Sequence, residues 1–148
     1  MNLNKFNDEC KVLINASYNY ASENKFKYFS PLHLLEVLIE NNENIKLLLS
    51  ELSINRTSLY NSTLKESEVL EKHNGRVTTQ IQGNLLLLLE NAAKETSKFE
   101  IEIVDTYILL LSLCLDVSPK TKNILKKNGL TYSKLVKYLH AYYNQDKK

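Results

Sequence analysis

Glycine and proline are nearly missing from this chain: 148 residues hold three of the first and two of the second, and alternating β-branched runs are almost absent. That argues against a sheet and for an all-α protein. Cysteine is as scarce. Cys10 and Cys114 stand far apart and belong to no Cys-x-x-Cys or Cys/His pattern, which speaks against a zinc site or a disulfide scaffold and for a reducing compartment. No metal and no cofactor is expected. The opening MNLNKFNDEC lacks an apolar core of signal-peptide length, and the longest uninterrupted aliphatic run, Leu85 to Leu89, is far too short to span a bilayer. A soluble, cytoplasmic protein without a membrane partner is the expectation. A net charge of +2 is too small for a nucleic-acid binder, which relies on many phosphate contacts. There is no GxxxxGK[ST] phosphate loop and no glycine-bracketed nucleophile turn, so neither ATP hydrolysis nor acyl transfer is expected of these residues and no catalytic residue is assigned.

What is present is helical periodicity. Hydrophobic content of 43% and charged content of 24% sit near globular averages, and the length suits one domain, either with one core or with two small halves sharing a core. A first helix is expected from about Asn7 to Asn24, with Cys10, Leu13, Ile14, Ser17 and Ala21 toward the core. An extended link, Phe26 to Phe29, leads into FSPLHLLEVLIE, where Ser30 can cap, Pro31 suits the first turn, and Leu34, Leu35, Leu38 and Ile39 form a stripe. Helices over Glu43 to Leu52 and Arg56 to Leu70 follow. The stretch KHNGRVTTQ, Lys72 to Gln80, combines polar residues, a glycine and β-branched residues, and is read as the main linker. After it come helices over Gln82 to Ser97, Thr106 to Leu115, Pro119 to Asn128 and Tyr132 to Tyr143, with Asp105 as a cap and Gly129 as a C-terminal stop signal.

The second series repeats the first. With a shift of 75 positions Ser30 falls on Asp105, Val12, Leu13 and Ile14 on Leu87, Leu88 and Leu89, Phe26 on Ile101, and Phe29 on Val104. After one added residue, LLSELSI (Leu48 to Ile54) matches ILKKNGL (Ile124 to Leu130), and Leu59 matches Leu135. The expected architecture is therefore a pseudo-twofold, duplicated four-helix repeat of about eight helices. It forms a single domain, with a first repeat over about residues 1–71, a linker over 72–80, a second repeat over 81–143 and a tail over 144–148.

MNLNKFND at the start, YFSPLHLLEVLIE with the following LLLSELSIN, then LLLLLENAAKE, then VDTYILLLSLCLD with ILKKNGL, together resemble the N-terminal domain of Clp/Hsp100 ATPases, most nearly the ClpB disaggregase type. The resemblance implies a non-enzymatic substrate- or adaptor-binding module. It would engage exposed hydrophobic segments of unfolded or aggregated polypeptide for disaggregation driven by AAA+ ATPase domains of the same protein, hexameric when full-length, while the isolated domain is a monomer. The alternative is a free-standing relative, an interaction or regulatory protein docking on a Clp ATPase. Carried over by position, the resemblance implies a substrate-binding set of Asn7, Leu89, Ile101, Tyr107 and Ile108. Asn7 would cap the first helix where relatives have a threonine, and Leu89 and Ile108 would be the apolar floor of a groove or else plain core. Ile101 and Tyr107 stand where relatives carry carboxylates. Leu32 and Tyr107 also occupy the places of glutamates that receive phosphoarginine in the ClpC-like branch; neither can pair with a guanidinium, which shifts the groove toward apolar contact.

Of the histidines, His33 is expected to make a local hydrogen bond, and no pair has the i, i+4 spacing of a helical zinc site. Lys120, Lys122, Lys126, Lys127, Lys134 and Lys137 lie near Tyr132, Tyr138, Tyr142 and Tyr143, a basic and aromatic mixture that reads either as a solvated helix face or as a nucleic-acid surface.

Overall fold

Asn7, Ser30, Asn42, Asn55, Asp105, Ser118 and Thr131 are short polar residues, each placed just before a run of helical periodicity, and every one of them precedes a helix. A computed structural model describes residues 2–145. Its helices are α1 (Asp8–Glu23), α2 (Pro31–Asn41), α3 (Glu43–Glu51), α4 (Arg56–Glu68), α5 (Gly83–Glu95), α6 (Thr106–Leu113), α7 (Pro119–Lys127) and α8 (Tyr132–Asn144), with a 3-10 turn over Thr96–Phe99. The eight expected helices are all there, with ends shifted by a residue or two, as helix ends fray. The expected tail begins later than read: Asn144 still belongs to α8, and 146–148 lie outside the described residues.

Cap chemistry explains the starts. Oδ1 of Asn7 accepts from the Cys10 N–H at 2.9 Å, and Oδ1 of Asp105 accepts from Ile108 at 3.0 Å, each filling one of the donors a helix leaves free at its first turn. The Asn7 backbone N–H also donates to the Val104 carbonyl, so this residue ties α1 to the far half of the chain. We expect Asn7→Ala to cost about 1 kcal/mol in chemical denaturation, the usual worth of a cap; an unchanged midpoint would show that the N-terminal turn is held by other contacts.

The five inward residues read for α1, Cys10, Leu13, Ile14, Ser17 and Ala21, are the five that are buried. Equivalent positions of the two halves share their burial: Leu13 and Leu88, Ile14 and Leu89, Phe29 and Val104, Leu59 and Leu135 are inside, while Val12 and Leu87 face outward. The middle of the molecule is formed by α2 and α6. All of Pro31 to Ile39 and all of Thr106 to Leu113 are buried, so α6 has no solvent face and α2 meets solvent only at its end, through Glu40 and Asn41.

Two extended links pair across the halves, which helical periodicity does not reveal. Tyr28–Phe29 (β1) runs parallel to Gln80–Ile81 (β2), and Phe6 forms a parallel bridge with Val104. These are the same contact made twice: Ile81 is Phe6 moved by 75 positions, and Val104 is Phe29 moved by 75. The Gln82 N–H donates to the Phe29 carbonyl at 3.0 Å, and the Asn7 N–H to the Val104 carbonyl at 3.0 Å. Each half thus lends its lead-in segment to the link of the other, and the pseudo-twofold axis is visible in backbone hydrogen bonds.

Candidate functional site: an apolar groove along α5

Five consecutive leucines occupy Leu85 to Leu89, and one stripe of a helix cannot bury all of them. Leu85, Leu88 and Leu89 turn inward, whereas Leu86 and Leu87 keep 42% and 50% of their surface in solvent. Beside them the N-terminal segment runs past α5, and between the two lies an open groove of about 940 Å³. Phe6, Leu86, Leu87, Leu89 and Ala93 supply its apolar surface, and Lys5, Glu90 and Lys94 its charged rim.

At the base of the groove the two repeats differ in one large side chain. Ala93 is the equivalent of Tyr18, and Asn4 of Thr79. In the first half the Tyr18 ring packs edge-on against Phe29, centroids 5.9 Å apart, and its hydroxyl donates to the Thr79 carbonyl at 3.1 Å. In the second half an alanine methyl stands in place of that ring, and both Asn4 and Ala93 line the open space.

Of the residues singled out from the sequence, Leu89 lies in this groove, and Asn7 caps α1 immediately after Phe6, which lines it. Ile101 is half-buried on the link after the 3-10 turn. Tyr107 is elsewhere: it is buried with its ring 4.8 Å from that of Tyr142, in a separate depression of about 300 Å³ with Leu47, Leu48 and Glu51 of α3 and Tyr138 of α8. Ile108 has 0% of its surface exposed and lines neither depression; its equivalent in the first half is His33, which is also fully buried. Leu32 is buried too, so neither place that corresponds to a phosphoarginine glutamate faces solvent. Sequence reading passed over Phe6, Leu86, Leu87 and Ala93. The signal for the leucines was the run of five itself, two more than the core-facing stripe can take.

The remaining polar groups are structural. His33 Nδ1 accepts from the Ser30 N–H at 3.1 Å and lies 3.0 Å from the Ser30 hydroxyl, closing a capping box at the start of α2. Burial among Tyr20 and Phe26 pushes its pKa down to about 4. Glu36 is buried on α2 and accepts from the Ser67 hydroxyl at 2.8 Å; burial moves its carboxyl upward from the ordinary range, as it does for Asp105, whose other oxygen accepts from Tyr143 at 2.6 Å. Burial raises both thiols, Cys114 to about 12, so neither is a nucleophile at neutral pH. Among the described residues no group of three or more His, Cys, Asp or Glu is placed to hold a metal ion, and no helix is long and apolar enough to cross a membrane. Three of the tyrosines near the lysine-rich end hold carboxylates. Tyr132 donates to Glu95, Tyr138 to Glu51 and Tyr143 to Asp105, while Tyr142 keeps 39% of its surface in solvent with its ring against those of Tyr107 and Tyr143.

Comparison with known proteins gives the same picture. Solved structures with this fold include a chain from a malarial protein secretion system (TM-score 0.81, 19% identity, 95% of this chain and 96% of that one). The Hsp104 N-terminal domain from Candida albicans matches with a TM-score of 0.78 and 17% identity over 97% of this chain and 91% of that one. The N-domain of ClpV from Vibrio cholerae matches with a TM-score of 0.77 and 17% identity over 96% and 87%. At such identities the likeness is one of fold. The family model of the Clp repeat (R) N-terminal domain, a non-catalytic domain of AAA+ ATPases, matches residues 5–128. With its paired repeats, exchanged lead-in segments and capped helices, the chain belongs to the Clp repeat N-terminal domain family.

Proposed function

We propose that this chain is the substrate- or adaptor-engaging N-terminal module of a ClpB-like AAA+ chaperone, and that it holds exposed hydrophobic segments of unfolded or aggregated polypeptide in the groove along α5 for ATP-driven disaggregation by domains outside this chain. The observation that carries the reading is that two adjacent leucines are left facing solvent beside a groove floored by Phe6 and Leu89. Exposed apolar surface in a misfolded client seeks such a concave apolar partner, and a contiguous exposed patch of this kind marks an interaction site. The groove is open to solvent, and an affinity on the order of micromolar or weaker suits a recruiting domain that must release its client.

Leu86→Glu with Leu87→Glu tests this. Both side chains are exposed, so the melting transition should persist, while binding to a permanently unfolded carboxymethylated model protein should fall roughly tenfold or more. Val12→Glu serves as the control: Val12 is the symmetry counterpart of Leu87, is still more exposed at 68%, and is not among the residues that line the groove along α5. Equal losses in the two variants, or no loss in the double variant, would remove the groove from consideration.

A further inference from the structure

The two halves of the chain differ at the groove in one way that specifies an occupant. In the first half, Tyr18 sits on the α1 face that corresponds to the groove face of α5, its ring against Phe29 and its hydroxyl on the Thr79 carbonyl. The second half keeps the acceptor position and lacks the side chain. Asn4 replaces Thr79 in the lead-in segment and Ala93 stands at the base of the missing ring, both lining the groove, while Val104, in the place of Phe29, is fully buried outside it. The Asn4 carbonyl, equivalent to the acceptor used by Tyr18, accepts no hydrogen bond from the described residues and is open to solvent, Asn4 being exposed.

Resting on the groove reading above, we propose that the groove selects polypeptide segments by one aromatic side chain, tyrosine best of all, which enters where Tyr18 sits in the other half and donates its hydroxyl to the Asn4 carbonyl. Tyr18 is then a built-in likeness of the ligand. An aromatic ring buries more apolar surface per immobilised torsion than an aliphatic chain, and the phenol can replace water as the donor to the Asn4 carbonyl, which is exposed where that of its buried counterpart Thr79 is not. The rim fits the backbone around such an anchor. Leu86 takes the place held by Lys11 in the first half, so an apolar neighbour of the aromatic residue has a surface to lie on.

Two measurements test the proposal, both on the 148-residue chain. The first titrates it, by fluorescence anisotropy, with short glycine- and serine-rich peptides that differ only in a central tyrosine, phenylalanine, leucine or alanine. Tyrosine should bind roughly tenfold more tightly than alanine, with phenylalanine weaker than tyrosine by about threefold, the worth of one hydrogen bond. The second uses Ala93→Tyr, which restores the arrangement of the first half in the second. It should keep or raise the melting temperature and abolish the tyrosine preference, because the groove is then filled from within. If the leucine peptide binds as tightly as the tyrosine peptide while Leu86→Glu with Leu87→Glu still abolishes capture of the unfolded protein, the aromatic anchor is wrong and the groove stands. If the unfolded protein is not captured at all, the groove reading itself fails. Should Ala93→Tyr prove unfolded, the peptide series on the unmodified protein decides alone.

Discussion

Ile108→Glu is expected to abolish the cooperative melting transition rather than to weaken ligand binding selectively. Ile108 is fully buried, in a helix with no residue exposed from Thr106 to Leu113. Glutamate there replaces an apolar side chain by one that must either lose its hydration or take up a proton, and it also forfeits the packing of the isoleucine. The combined cost exceeds about 4 kcal/mol, against a total stability of about 5–15 kcal/mol for a domain of this kind. Ile108→Val, which keeps the shape and removes one methylene, should cost only about 0.5–1.5 kcal/mol. Circular dichroism with temperature, run on both variants beside Leu86→Glu with Leu87→Glu, separates core from groove. A folded Ile108→Glu protein with normal melting would mean that α6 yields at this position far more than its burial implies.

The second large effect concerns acid. Because the pKa of His33 is held at about 4, below the ordinary 6.5, the unfolded chain takes up a proton between these values that the folded chain refuses. Stability from this group is complete above pH 6.5 and is lost as the pH falls, by about 3 kcal/mol at pH 4. Glu36 and Asp105 act with the opposite sign. Their carboxyls are raised by burial, so the folded state holds protons that the unfolded state releases, and stability falls as the pH rises through their windows. The wild-type profile is therefore a sum, and the informative quantity is a difference. His33→Gln keeps an acceptor at the capping-box position and removes the titration. Urea denaturation at pH 7 and at pH 4 should show the wild type losing about 3 kcal/mol more than the variant. Parallel losses would assign the acid sensitivity to other groups.

Much of the fold can be read from the residues. The caps at Asn7 and Asp105, the inward set of α1 and the shift of 75 positions all belong to local chemistry or to periodicity, and the structure repeats them nearly position for position. The cross-half pairing is of another kind. Tyr28–Phe29 meets Gln80–Ile81 over two residues, too short for any alternating pattern, and its partner is fixed by tertiary packing alone. Glu36 shows the same limit: in the sequence it looks like the polar break in a helical stripe, and it becomes an interior carboxyl because α1 and α4 cover both sides of α2, with Ser67 from α4 supplying the donor. For the groove, the chain spelled out its excess of leucine but not the N-terminal segment running beside it, nor that Ala93, where the other half has Tyr18, would line it.

The reciprocal pairing of lead-in segments has a bearing on how such a chain holds together. Neither half closes its own backbone: each would, alone, present one unpaired arm and one vacant edge, and two identical halves would satisfy one another by trading arms. The molecule has the connectivity of an arm-exchanged dimer drawn into a single polypeptide, with the segment between α4 and β2 serving as the splice. Once the two partners share one chain, they are free to diverge, and a pocket that symmetry would have closed twice can be kept shut on one side and open on the other.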